Sequence, residues 1–231
     1  NAQNQENKKE KQAIIEELES LSKRTTNIPA HNIGIRDQIC AHIGCSEKEL
    51  VFAGELLQVA KEESRWEAAI EKLLHNFALC LLVPPHLYTK VNTYAATHNL
   101  RGRLVYLKID TKPQLKKNIP EKNSLIAKLE IQRKHELSDW LEAYLHDTFG
   151  YICTDDTEAF SRAAKALTST GLIKAKIRHE KDDRPQHSGR QAFVLGWDNI
   201  QKRQELSFSL KKLQNEIEKN DTALEDSKKK Q

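Results

Sequence analysis

Apolar positions recur along the chain with two rhythms, and the change between them divides it into ends and middle. From Asn1 to about Asn27 there is no Gly or Pro, charges of both signs alternate, and Ile14, Leu18 and Leu21 follow at spacings of four and three. At the other end Leu206, Leu210, Leu213, Ile217 and Leu224 keep the same rhythm, with Asn220 at the intervening core position. A repeat near 3.5 residues draws one narrow apolar seam along a helix, the pattern of a coiled coil. Two or three heptads are marginal alone in water, so each helix needs a partner, and the other end of the same chain supplies one in antiparallel orientation. The expected organisation is a coiled-coil arm segment over residues 1–28, a globular domain over 29–204, and a second arm segment over 205–231. Two amphipathic helices laid against the globule are the alternative. Charged residues on the outer helix positions, Glu16, Glu17, Lys211, Lys212 and Lys219, favour the stalk because they leave little apolar surface to cover.

The middle alternates helix and strand signals. Asn32 can cap a helix running to about His42, and Ser46 opens a short turn over Glu47 to Leu50. Glu55 to Val59 is a short strand candidate. Trp66, Ala69, Ile70, Leu73 and Leu74 then form one helix face. The apolar run Ala78 to Val83, stopped by Pro84 and Pro85, predicts a buried strand, and Pro85 suits the first turn of a helix to about Ala96. Arg103 to Ile109 is rich in β-branched and aromatic residues and predicts a strand. A polar loop with Pro113 and Pro120 follows, and Leu125 to Ile131 is ambiguous. Leu137 to Phe149 predicts a helix, Tyr151 to Cys153 a strand, and Thr157 to Leu167 another helix. Leu172 to Ile177 and Ala192 to Trp197 predict two last strands, separated by a polar loop from Arg178 to Arg190. The expected fold class is therefore an α/β (α+β) globular domain of short mixed strands and helices, inserted between two antiparallel coiled-coil helices.

Composition adds compartment and size. The sequence has 231 residues and is 38% hydrophobic and 30% charged, polar enough that part of it must be solvated helix. No run approaches the roughly 18 to 20 apolar residues that span a bilayer, and the polar N-terminus carries no apolar signal stretch, so the reading is cytoplasmic with no membrane partner. Cys40, Cys45, Cys80 and Cys153 sit among apolar neighbours without paired spacing, as reduced buried thiols do. There is no Met, even at position 1, so the chain reads as an internal fragment.

Catalytic signatures are sparse. No Gly-Lys-Ser/Thr phosphate loop, Gly-x-Ser-x-Gly elbow or His-Glu-x-x-His occurs, so no cofactor and no catalytic residue are expected. Cys40, His42 and Cys45 are zinc-ligand types, but a spacing of two on a helix points Cys40 and His42 about 200° apart, so no metal is assigned. The run Arg178 to Arg184 holds His179, Glu180, Asp182 and Asp183, which a small metal-dependent nucleic-acid enzyme could use. Its own basic residues favour a self-paired, solvated loop over a catalytic one, with loop-to-coil or dimer contacts as a middle option.

Charge is segregated along the chain. His98 to Lys134 holds ten Lys/Arg against three Asp/Glu, and Arg162 to Arg190 holds eight against three. Between them, His135 to Ser161 has seven Asp/Glu and no Lys/Arg. Basic faces of this kind neutralise phosphates without reading sequence. The candidate DNA contacts are Arg101, Arg103, Lys112, Lys116, Lys117, Lys174, Lys176 and Arg178. Solvated cations complementing the acidic stretch on the same or a neighbouring protomer account for the pattern equally well.

Several strings carry a more specific signal. They are Phe52-Ala-Gly-Glu-Leu-Leu-Gln-Val59, Trp66-Glu-Ala-Ala-Ile-Glu-Lys-Leu-Leu-His-Asn-Phe77, Leu81-Leu-Val-Pro84, Leu100-Arg-Gly-Arg-Leu-Val-Tyr106, Arg178-His-Glu-Lys-Asp-Asp-Arg184 and Val194-Leu-Gly-Trp-Asp198. Together they resemble the central region of the JetC family, the SMC-like ATPases of bacterial Wadjet plasmid-defence systems, related to MksB and MukB. The resemblance implies a hinge that homodimerises and joins two arms ending in ATPase heads. It also implies a ring that entraps DNA and extrudes loops, a nuclease on a separate subunit, and contacts with other subunits through arms and heads outside this sequence. The expected dimer seam is the late strands, through Leu172, Ile173, Phe193, Leu195 and Trp197, because open strand edges invite pairing.

Overall fold

The structure is a computed structural model that describes residues 2–109, 121–184 and 190–229. It divides into two compact units, one built from both chain ends (Asn1–Thr25 with Asp198–Gln231) and one from Thr26–Trp197.

In the first unit helix α1 (Ala2–Ser22) lies against α7 (Ile200–Lys229). Their direction is antiparallel: Asn4 meets Asp221, while the Leu21 carbonyl accepts from Asn199. Ile14, Leu21, Leu206, Leu213 and Ile217 form the seam, with Leu18 and Leu210 packed beside them. Asn220, expected at the seam, is exposed, and Asp221 turns inward instead. Inward positions 213, 217, 221 and 224 are spaced four, four and three. That is an 11-residue repeat of about 3.67 residues per turn, closer to a straight helix than the heptad is, so the stripe moves on by one position. Towards its other end α1 continues the seam with polar side chains, Asn4 and Asn7, both buried.

The second unit opens with α2 (Ala30–Ile43). It starts two residues before the expected Asn32, with Pro29 at the cap, and ends at Gly44 in the left-handed region (φ 71°), whose amide returns to Cys40. Ile35 and Ile39 face the core. Strand β1 (Val51–Phe52) leads through a 3-10 turn, Ala53–Leu56, into β2 (Leu57–Val59), so the expected strand from Glu55 loses its first two residues to the turn. Helix α3 (Glu67–Ala78) carries the predicted apolar stripe into the core through Ala69, Ile70, Leu74 and Phe77. Strand β3 (Cys80–Val83), helix α4 (Pro85–Thr97) and strand β4 (Val105–Lys108) form one crossover unit. The sheet order is β1-β3-β4, with β3 antiparallel to β1 and parallel to β4. A parallel pair needs a crossover, and the Pro85-initiated helix is that crossover.

The ambiguous Leu125–Ile131 stretch is a 3-10 turn over Ile126–Lys128 and then β5 (Leu129–Ile131), which pairs antiparallel with β2. Helix α5 (Ser138–Thr148) stacks Tyr144 on Phe77, ring centres 5.3 Å apart. Strand β6 (Ile152–Cys153) follows. The helix expected over Thr157–Leu167 stops early: α6 spans only Thr157–Arg162, and Lys165–Leu167 is strand β7. The alanine-rich run has helical propensity, but β-pairing buries Ala166 and Leu167 fully and overrides it. Strands β8 (Leu172–Ala175) and β9 (Arg178–Lys181) complete a four-stranded sheet in the order β6-β7-β8-β9. β9 thus occupies the start of the expected polar loop, and the strand expected over Ala192–Trp197 is replaced by a 3-10 turn, Arg190–Ala192, and an irregular segment. Among the described residues no helix is long and apolar enough to cross a membrane.

Candidate dimer seam and nucleic-acid interface

Four strands are outermost among the described residues on sheets of more than two strands: β1 and β6, of two residues each, and β4 and β9, of four residues each, with β6 also bridged at Ile152 by Ser124. A strand edge carries unpaired backbone donors and acceptors and is a template for a further strand. On β4, Val105, Tyr106 and Leu107 are half-buried, and the Tyr106 hydroxyl donates to Asn92 Oδ1 at 2.8 Å. β9 is polar, with Arg178, His179 and Lys181 exposed and Glu180 half-buried. Leu172 and Ile173, expected at the seam, lie half-buried on β8, one strand in from this edge.

The remainder of the expected seam is internal. Phe193 and Leu195 are core residues, 9% and 5% exposed, while Trp197 is half-buried. The backbone between them is satisfied within the chain: Glu71 accepts the amides of Val194 (3.0 Å) and Leu195 (3.1 Å), and Asn27 Nδ2 donates to the Leu195 carbonyl (2.7 Å). The Gly196 amide donates to the Gly54 carbonyl, and a Cβ on Gly54 would stand 2.8 Å from the Val194 carbonyl oxygen, so this approach requires glycine. This segment has no open edge at Leu195. Glu71, on α3 and 4% exposed, was not singled out by the sequence, although it follows Ile70 and precedes Leu74 on the flank of the apolar stripe.

The basic candidates separate into two groups. Arg101 and Arg103 are exposed in the loop leading into β4, Arg101 in the left-handed region at φ 50°, and neither has an ion pair among the described residues. Lys174, Lys176 and Arg178 belong to the β8–β9 hairpin. Lys174 Nζ is committed to the carbonyls of Phe160 and Ser161 at the end of α6, and Arg178 pairs with Glu180 at 2.6 Å. Lys176 is exposed on the turn. Lys112, Lys116 and Lys117 lie outside the described residues.

The acidic side chains of the run are paired with its own basic residues. Glu180 is paired with Arg178, Asp183 with Lys181, and Asp182 accepts from Arg184 through both Nε (2.9 Å) and Nη2 (2.6 Å). Lys72 Nζ donates to the Asp182 carbonyl at 2.6 Å, at a cavity of about 220 Å³ also lined by His75, Glu180 and Arg184. Among the described residues no group of three His, Cys, Asp or Glu side chains is placed to hold a metal, and the enzyme alternative has no support. His42 stands in an aromatic cluster, its ring 4.8 Å from Tyr94 and 4.9 Å from His98. The Cys40 thiol is pushed up to about 12 by burial and by Cys45 beside it.

Comparison with known proteins places this arrangement. No protein-family model matches the sequence, and no curated protein matches it either. Solved structures do match. The folded elbow of cohesin superposes with a TM-score of 0.51 at 14% identity, covering 99% of this chain and 34% of that one. An SMC hinge domain from Geobacillus stearothermophilus, described as an asymmetric dimer, superposes with a TM-score of 0.50 at 14% identity, covering 99% of this chain and 94% of that one. The chain thus spans about a third of the cohesin chain and nearly all of the hinge domain. Its fold is that of an SMC hinge domain.

Proposed function

We propose that the chain is the homodimerisation hinge of an SMC-like protein of the JetC type, acting in anti-plasmid defence and contacting DNA without sequence preference. The observation that carries the reading is an SMC-hinge fold with a four-residue edge strand on each of its two larger sheets, β4 and β9. Two-fold symmetry would set β4 of one protomer beside β9 of its partner twice over, closing both edges at once, with Leu172 and Ile173 backing the seam. The strings that resemble the JetC family fall on the elements of this arrangement: Phe52–Val59 on β1 and β2, Trp66–Phe77 on α3, Leu100–Tyr106 entering β4, and Arg178–Arg184 from β9 onward. Arg101, Arg103 and Lys176 are the cations best placed to meet phosphates. ATPase heads, arms and further subunits belong to the whole protein that this reading implies.

Light scattering across a dilution series tests it. A stable mass near twice 26.5 kDa supports the hinge, and Leu107→Asp on the open edge of β4 should return it to a monomer. A monomer at every concentration overturns it. Leu195→Glu is unsuitable for this purpose, because Leu195 is a core residue and the substitution would test folding.

A further inference from the structure

The turn joining β8 to β9 is unusual on two counts. It has two residues, Lys176 and Ile177, because Ala175 pairs directly with Arg178. Two-residue hairpin turns need at least one positive φ and are served by Gly, Asn or Asp; here Lys176 takes it, at φ 57°. Ile177 is 97% exposed, the most exposed of the large hydrophobic residues among the described residues. A lysine in the left-handed region, where a side chain costs backbone energy, thus holds an apolar side chain out at the tip of a basic hairpin.

The surroundings select the kind of partner. Ile177 is flanked by the exposed cations Lys176 and Arg178, and the other exposed large hydrophobics among the described residues, Ile200 and Phe208, belong to α7, whereas the centre of a protein seam is apolar and poor in charge. The ribbon from Leu172 to Lys181 carries four cations against Glu180 alone. Arg178 and Glu180 are 72% and 43% exposed, an ion pair weak enough to exchange for phosphate. The turn is also braced, since the Lys176 amide donates to the Ala164 carbonyl at 2.6 Å and Lys174 is tied to the end of α6. A rigid basic ribbon with a single apolar tip is suited to a nucleic-acid groove, where an apolar side chain enters between base steps and cations hold the flanking phosphates.

We infer that the β8–β9 hairpin inserts Ile177 between base steps of duplex DNA and unstacks them, with Lys176 and Arg178 on the adjoining phosphates. This rests on the DNA contact proposed above and adds a deformation to it.

The test uses the whole chain with a short duplex carrying 2-aminopurine, together with Ile177→Ser, Lys176→Gly and the double variant Lys176→Gln/Arg178→Gln, each checked for mass. The wild-type chain should raise the 2-aminopurine fluorescence. Ile177→Ser should abolish the rise and weaken binding about tenfold, the scale of one lost stacking contact, with the salt slope unchanged. Lys176→Gly, which suits the turn, should keep the rise, and the double variant should lower the salt slope by about two. Binding by Ile177→Ser equal to wild type with fluorescence unaltered overturns the wedge and leaves the DNA contact standing. No binding by the wild-type chain overturns both. Loss of dimer mass in Ile177→Ser assigns the tip to the protomer seam and likewise overturns the wedge.

Discussion

Asn4 Nδ2 donates to Asp221 Oδ1 at 2.6 Å across 217 residues of sequence. Lys8 joins the same carboxylate at 3.1 Å, so the polar end of the α1–α7 seam is fastened by one acid. The hydrogen bond from Lys8, and then that from Asn4, holds the Asp221 carboxyl below its ordinary 3.8. A depressed folded value means that the unfolded chain takes up the proton first. The contribution is therefore complete above 3.8 and is lost as the pH falls through the lower folded value. Helical circular dichroism followed from about pH 6 to pH 2 should show α1 and α7 fraying in that acid window, and Asp221→Asn should fray at neutral pH with a flatter profile.

The buried carboxylate of Glu71 holds two amides that have no strand partner. Glu71→Ala strands both, at about 1–3 kcal/mol for each unpaired donor, whereas Glu71→Gln keeps one acceptor oxygen and should cost roughly half as much. Denaturant midpoints that rank wild type above Gln above Ala agree with this; equal midpoints refute it.

Arg36 reaches both oxygens of Glu55, at 3.0 and 2.9 Å, with its side chain 6% exposed, and Glu55 also accepts the Phe52 amide. Arg36→Met leaves that acid without its counter-charge and should cost about 3–5 kcal/mol. Adding Glu55→Gln should recover part of the loss, a coupling that a double-mutant cycle in urea reads directly.

Three of the four thiols are shielded. Cys40 and Cys153 are both pushed up to about 12 by burial, Cys80 is raised by burial, and Cys45 alone is half-buried. A maleimide added to the native chain near pH 7.5 should therefore give one fast adduct, at Cys45, by intact mass, because the thiolate is the reacting form. Rapid addition at two or more sites would contradict the packing around α2 and β6.

What the sequence disclosed was whatever has a local period. The Ile14–Leu21 and Leu206–Ile217 stripes, the face of α3, the run of β3 and the proline that starts α4 all follow from spacings within a few residues. Elements decided by distant partners were hidden. Ala166 and Leu167 sit in an alanine-rich run that favours helix, and only pairing with β6 and β8 makes them strand. Phe193 to Trp197 is an apolar run that suits a strand, yet its amides meet a carboxylate from α3 and the Gly54 carbonyl. The β8–β9 turn lacks the Gly or Asn that marks a hairpin, so the strand holding Arg178, His179 and Glu180 passed as loop. Charge clustering picks out Arg101, Arg103, Lys174 and Lys176 alike and does not reveal that Lys174 is engaged in holding α6.

The Glu71 bridge also sets an order in time. Its partner amide at Leu195 lies 124 residues downstream, and at roughly 5–20 residues per second a ribosome needs roughly 6 to 25 s to make that stretch. Through that interval the Glu71 carboxylate lacks the two amides that it accepts in the finished fold. The β1-β3-β4 sheet can assemble early, but the core behind it closes only when the last segment of the unit emerges. Premature release, or a break in the chain before Val194, would leave an open and sticky half-domain, so the second unit is made as a whole or not at all.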